Sequence, residues 1–407
     1  MTELVDSRAA WIRLAAVVAL ATIGGAGMWS VVVALPHVQA EFGATRAEAS
    51  LPYTLTMLGF GAGGILMGRL ADRFGVMVPL LGGTVMIAAG YAMAGMATSL
   101  TMFALAQGVM IGLLGSSAAF GPLLADASLW FRRRRGIAVA LAASGNYLAG
   151  AVWPPILTAL IDAHGWRTAH VLVGLICLVT MLPLSLLMRA RPPGLRGGTA
   201  AELSGEGGSG RPLGLSRNGL TLVLCAAGLA CCVAMAMPQV HIVAYCGDLG
   251  YGVARGAEML SLMLACGIVS RIASGFIADR VGGLSTLLLG SVLQGVALTL
   301  FLFFDGLSSL YVLSAMFGLF QGGIVPSYAV IVREHFPARE VGMRVGIVLM
   351  STLVGMALGG WLSGLVFDLT GSYFAAFLNG VAWNAANVAI VATLLIRARG
   401  RLRLAPA

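Results

Sequence analysis

The chain is 407 residues long, 59% hydrophobic and only 10% charged, with a mean hydropathy of +0.93 and a formal charge of +9. That is far more apolar surface than a water-soluble domain of this length needs to fill a core, so a soluble enzyme is excluded. All 25 basic residues are arginines. Their positions track the ends of apolar segments, so the charge records membrane topology and contact with anionic lipid, not nucleic-acid binding.

Apolar runs recur at about 14–36, 48–70, 76–97, 101–124, 136–161, 168–188, 218–245, 257–278, 284–304, 309–332, 342–366 and 373–396. Each is long enough to cross a hydrocarbon core of ~30 Å as a helix, which predicts twelve spans. With both termini in the cytoplasm, the outward loops hold only Arg46, Arg167 and Arg255, and Arg271 falls inside the eighth span. The other arginines then face the cytoplasm, as the positive-inside rule requires. Six cysteines (Cys177, Cys225, Cys231, Cys232, Cys246, Cys266) lie in or beside spans without metal-type spacing, and read as small buried packers.

Between Arg189 and Arg217 the apolar pattern stops in a Gly-, Ser-, Pro- and charge-rich stretch, a cytoplasmic linker. It divides the chain into six-span bundles at 1–188 and 218–407, joined by 189–217. The halves echo each other. Gly68-Arg69-Leu70-Ala71-Asp72-Arg73-Phe74-Gly75 follows the second span, and Gly275-Phe276-Ile277-Ala278-Asp279-Arg280-Val281-Gly282 follows the eighth, 207 positions later. Phe131 with Arg132 to Arg135, then Gly165-Trp166, parallels Phe336 with Arg339 and Arg344, then Gly371-Ser372. Two matches at nearly one spacing indicate a duplicated unit. Gly68, Asp72, Arg73, Asp279 and Arg280 sit where helix ends meet. A contact made there in one conformation and broken in another makes a gate; a plain positively charged turn is the other reading. The run Arg132 to Arg135 reads as an anchor on anionic lipid.

On these residues the chain resembles the major facilitator superfamily, whose signature after the second helix matches Gly68 to Gly75. Within it, the chain is similar to the monocarboxylate transporter family and bacterial oxalate/formate antiporter relatives. The residues that carry this are Trp130 to Gly136, Pro154-Pro155 with Gly165-Trp166-Arg167, and Arg271 with Gly275 and Asp279. The resemblance implies an all-α fold of two pseudo-symmetric six-helix bundles, and a secondary transporter, a symporter or an anion exchanger, working by alternating access. It also implies that Arg271 binds the substrate carboxylate.

Arg271 also stands out by its position alone. It stands eight residues before Asp279, about 12 Å along the helix and near mid-membrane. An isolated arginine there costs at least ~2.5 kcal/mol, and no acidic residue lies mid-span to pair with it. Binding a planar carboxylate through two hydrogen bonds offsets the cost; backbone carbonyls between helices would do so too. Its counterpart in the first half is Gly64, so the charge is not part of the duplicated scaffold. The resemblance implies a second cation on the eleventh span for oxalate carriers, and here that span has none, which favours a monoanion. His241 is the candidate for proton coupling, because an imidazole ordinarily titrates near neutrality; hydrogen bonding to a neighbouring helix competes with that role. Trp29, Ser30, Asn146, Tyr147, Gln321, Tyr328 and Ser351 are polar or amphipathic groups in apolar helices, each either a cavity group or an interhelical hydrogen-bonding partner.

No GxxxxGK[ST], HExxH or GxSxG motif occurs, so no catalytic residue, metal or cofactor is expected. The expected partners are a small carboxylate, protons and anionic lipid, for a monomer in a bacterial inner membrane. An efflux carrier of amphipathic compounds and a non-transporting membrane sensor are the competing readings.

Overall fold

The computed structural model describes residues 6–131, 135–190 and 212–404, all helical or in short connections. In chain order the helices are α1 (Arg8–Gly24), α2 (Ala26–Phe42), α3 (Arg46–Phe74), α4 (Met77–Gly95), α5 (Leu100–Leu105), α6 (Gly121–Trp130) and α7 (Arg135–Leu186). They continue as α8 (Arg217–Asp248), α9 (Val253–Val281), α10 (Gly283–Leu300), α11 (Leu307–Gln321), α12 (Ile324–His335), α13 (Ala338–Thr370) and α14 (Tyr373–Leu404). A π-helical stretch, Ala106–Gly115, and a 3-10 turn, Ser116–Ala119, link α5 to α6.

Among the described residues eleven helical stretches are long and apolar enough to cross a membrane, where the sequence predicts twelve. The difference lies in one place. The runs expected at 136–161 and 168–188 form a single stretch, Ile137–Arg189, of 53 residues. Only Gly165 leaves helical geometry in α7, at φ 78° and ψ 157°. That region is open to glycine alone, so the chain turns without spending loop residues. The repeated loops use the same device: Gly75 (φ 87°, ψ 158°) ends α3 and Gly282 (φ 82°, ψ 164°) precedes α10.

The chain forms two compact units. The first holds the described residues before position 199 together with Val240–Ala265; the second holds those up to Gln239 and from Cys266 onward. In the first unit, α2 is enclosed along nearly its whole length, burying Trp29, Val31, Val32, Val33 and Leu35. Glycines let the backbones touch: a Cβ on Gly59 or Gly63 of α3 would run into the carbonyls of Gly108 or Leu113. In the second unit α10 packs on α14 around Phe301 and Phe377, whose rings stack at 4.9 Å. Large apolar side chains on α3 and α9 (Ile65, Leu66, Val269, Phe276) remain exposed, as lipid-facing surfaces do.

Candidate functional site

Arg271 lies on α9, half-buried, and its Nε donates to the carbonyl of Gly322 at 3.4 Å. Why that carbonyl is available follows from sequence. A helical carbonyl is met by the N–H four residues on, and four residues after Gly322 stands Pro326, which has none. α11 therefore stops at Gln321, the chain turns through Gly322 and Gly323, and α12 starts at Ile324. Neither glycine has room for a Cβ, which would strike the Gly267 carbonyl and Ser270, or Ser274, on α9. Two helix backbones thus touch where Arg271 leaves α9.

Next to the break, Gln321 is fully buried and its Oε1 accepts from Gln239 Nε2 at 2.8 Å. Among the described residues the Gln321 Nε2 has no hydrogen-bond partner. Gln239, absent from the sequence-derived candidates, is the residue that orients it.

The remaining candidates divide between the units. In the second, the Tyr328 hydroxyl donates to Asn387 Oδ1 (3.3 Å), whose Nδ2 donates to Ser291 Oγ (2.7 Å), a closed interhelical network. Half-buried Ser351 donates back to the Val348 carbonyl of its own helix. In the first unit, Ser30 accepts from the Tyr91 hydroxyl (2.9 Å), and Trp29 Nε1 reaches the Asn146 carbonyl (3.4 Å). Asn146 Oδ1 is buried without a hydrogen-bond partner among the described residues, and its neighbour Tyr147 is buried. His241 is buried in this unit. A second histidine inside a predicted span, His170 on α7, is fully buried too. Its Nδ1 donates to the Trp166 carbonyl (2.7 Å), with the rings of Tyr91, Phe103 and Trp166 around it.

Of the gating candidates, Asp72, Arg73, Asp279 and Arg280 are exposed and Gly68 faces open space. The carboxylate that meets the α10 N-terminus is Glu334 of α12, accepting from the Gly283 N–H at 2.9 Å. Most of the run Arg132 to Arg135 lies outside the described residues.

Several arginines that sequence reasoning counted only as topology signals are structural ion pairs. Arg13 grips Asp126 through two hydrogen bonds, at 2.7 and 2.9 Å, with side chains 6% and 4% exposed. It also donates to the Leu187 and Met188 carbonyls and lies over the Trp130 ring. Glu340 receives Arg217 (2.9 Å) and Arg344 (2.8 Å), and Arg344 also holds Thr221 and the Arg217 carbonyl. All three arginines expected in outward loops are paired: Arg46 with Asp248, Arg167 with Glu41, Arg255 with Glu258.

Helices of membrane-spanning length packed through glycine-mediated backbone contacts define a multi-spanning membrane protein. The chain belongs to the Major Facilitator Superfamily, whose family model matches residues 17–307 and 222–406. It is 31% identical to monocarboxylate transporter 13 of Bos taurus over 333 residues, 80% of this chain and 75% of that one. Against monocarboxylate transporter 13 of Rattus norvegicus it is 31% identical over 354 residues, 85% and 78% of the two chains. A bacterial homologue of the human lysosomal transporter Spinster matches the fold with a TM-score of 0.72, covering 97% of this chain and 98% of that one at 15% identity.

Proposed function

We propose that the chain is a secondary active transporter of small organic monocarboxylate anions, working by alternating access, with Arg271 as the carboxylate ligand. The observation that supports it is the anchoring of Arg271 on the Gly322 carbonyl. A guanidinium carries five N–H donors in a rigid fork. One of them placed on a fixed carbonyl orients the plane of the rest, and a planar carboxylate matches that fork through two parallel hydrogen bonds. The relatives named monocarboxylate transporter 13 support the substrate class.

The finer features of this reading follow the same logic. A 53-residue helical stretch is about 80 Å long at 1.5 Å per residue, more than twice a ~30 Å core. Taken as two spans turning at Gly165, it makes the count twelve, with both termini on the cytoplasmic side where most arginines fall. Asn146 and Gln321, each with a buried polar atom still to be satisfied, are the strongest further substrate contacts. Trp29, Ser30, Tyr147, Tyr328 and Ser351 line or brace the helices that carry them, and His241 is the proton-coupling candidate.

The test is uptake of a panel of labelled monocarboxylates into proteoliposomes, with and without a pH gradient. Arg271→Ala and Arg271→Lys are expected to reduce uptake to background while the purified protein stays monodisperse. Unchanged uptake by both variants overturns the assignment.

A further inference from the structure

In the second unit α10 and α14 meet at two successive levels, and at each an asparagine of α14 faces α10. Asn387 is held at both ends of its amide: Oδ1 accepts from the Tyr328 hydroxyl at 3.3 Å and Nδ2 donates to Ser291 Oγ at 2.7 Å. One turn away on α14, Asn384 meets Gly295, four residues beyond Ser291, so no hydroxyl stands there to receive it. A Cβ on Gly295 would fall on the Asn384 Oδ1. Asn384 is 3% exposed, and among the described residues its Nδ2 has no hydrogen-bond partner.

The amide lines a groove of about 400 Å³ between the two helices. Its walls are aliphatic, from Val292, Val296 and Leu300 of α10 and Ala385 and Val388 of α14, and Val292 and Val296 are 44% and 46% exposed, as lipid-facing side chains are. Thr299 also lines it, but its hydroxyl already donates to the Gly295 carbonyl at 2.8 Å. Among the lining residues Asn384 alone has a side-chain hydrogen to give. Depth decides what can receive it. Asn384 stands eleven residues into α14 and Gly295 twelve into α10, about 16 and 18 Å from the helix starts at 1.5 Å per residue. That is near the middle of a ~30 Å hydrocarbon core, far from phospholipid headgroups and where no water satisfies a buried amide.

We propose that this groove is a binding site for a neutral, membrane-dissolved carbonyl compound, an apolar body whose ketone- or quinone-type oxygen accepts from Asn384 Nδ2. Aliphatic walls with one placed polar group, at this volume, are the make-up of a small-molecule site. A charged ligand has no counter-ion among the lining residues. A phospholipid presents its oxygens at the edge of the core, ~15 Å from the middle, and its acyl chains carry no acceptor. A ketone or quinone oxygen on a hydrocarbon body reaches that depth and leaves no donor of its own to satisfy.

The experiment uses the full chain in phosphatidylcholine nanodiscs with benzophenone, a neutral diaryl ketone that inserts into neighbouring C–H bonds on illumination, and maps the labelled residues by peptide mass spectrometry. Label is expected on Val292, Val296 and Val388. Fluorenone is expected to displace it at about a tenth of the concentration that fluorene needs, because fluorene has the same tricyclic shape without the oxygen. Asn384→Leu keeps the volume and removes the donor; it is expected to cut labelling about tenfold and to erase the difference between the two competitors. Where that variant is not recovered folded, Val296→Trp, on the lipid-facing side, is expected to abolish labelling by filling the groove. Label spread over all lipid-facing helices, equal displacement by fluorene and fluorenone, unchanged labelling in Asn384→Leu or labelling that persists in Val296→Trp overturns the site. So does a dimer cross-linked through α10 and α14 with no label in the groove, which assigns the face to a second copy. None of these outcomes bears on Arg271, whose failure would be seen in uptake alone.

Discussion

The two units differ at the helices that carry the echoed Asp-Arg sequences. α3 carries Gly64 where α9, 207 positions later, carries Arg271. At Gly64 a Cβ would meet open space, whereas the Arg271 region is closed by Gly322 and Gly323 pressed on Gly267, Ser270 and Ser274. The spans that pack on them are broken in different ways. In the first unit ten residues wind as a π-helix and a 3-10 turn follows; in the second a glycine pair ends one helix and a proline starves one carbonyl. The ion pairs at the first helix of each unit differ too. Arg13 with Asp126 is a sealed bidentate pair, whereas Glu340 is shared between two arginines and is partly exposed. Where the echoed sequence segments differ, the helices around them are broken, packed and ion-paired differently.

Arg271→Ala is expected to raise the KM for monocarboxylate uptake by about 100-fold or more, the cost of losing a desolvated charge-assisted pair. Gly64→Ala should leave uptake within a factor of two. Next, Asp126→Ala should destabilise the protein by ~3–5 kcal/mol, since it strands a buried guanidinium. Glu340→Ala is expected to cost about 1–2 kcal/mol, because its arginines keep other acceptors or solvent. Thermal unfolding in detergent ranks the two, and equal losses would erase the difference between the clasps. Gly322→Ala should cost about 1–3 kcal/mol by forcing backbones apart, against less than ~0.5 kcal/mol for Gly64→Ala in the same assay. The smallest effect sharpens the picture most. Pro326→Ala returns an N–H to the Gly322 carbonyl, in competition with Arg271, and is expected to shift the uptake KM about threefold with little change in melting temperature.

Much of the fold was legible in the sequence because hydropathy, arginine placement and the repeated Asp-Arg loops are local signals. Gly165 was legible as a boundary but not as a loopless turn, since only the backbone shows φ 78°. For the site, Arg271 stood out because a charge in an apolar helix breaks a pattern. Its carbonyl partner was within reach as well: Gly322-Gly323 followed by Pro326 predicts a carbonyl without its helical donor. By contrast, Arg13 and Asp126 are 113 positions apart, and Gln239 and Gln321 are 82 apart. Their pairing depends on how helices rotate against one another, which no local pattern reports. The same holds for Glu334, which reaches the α10 N-terminus from α12.

A unit assembled from two separated stretches of chain has a consequence for biogenesis. During synthesis, the helices before residue 199 lack the segment Val240–Ala265 until α9 has been inserted, so Asp248 is not yet present to receive Arg46. A chain interrupted in the 189–217 segment would leave its leading fragment with Arg46 and Gly150 uncovered where Asp248 and Leu264 close on them. Quality control that senses such surfaces would then distinguish half-made from finished protein, and the final step of maturation for the leading helices would be set by a segment from the trailing half.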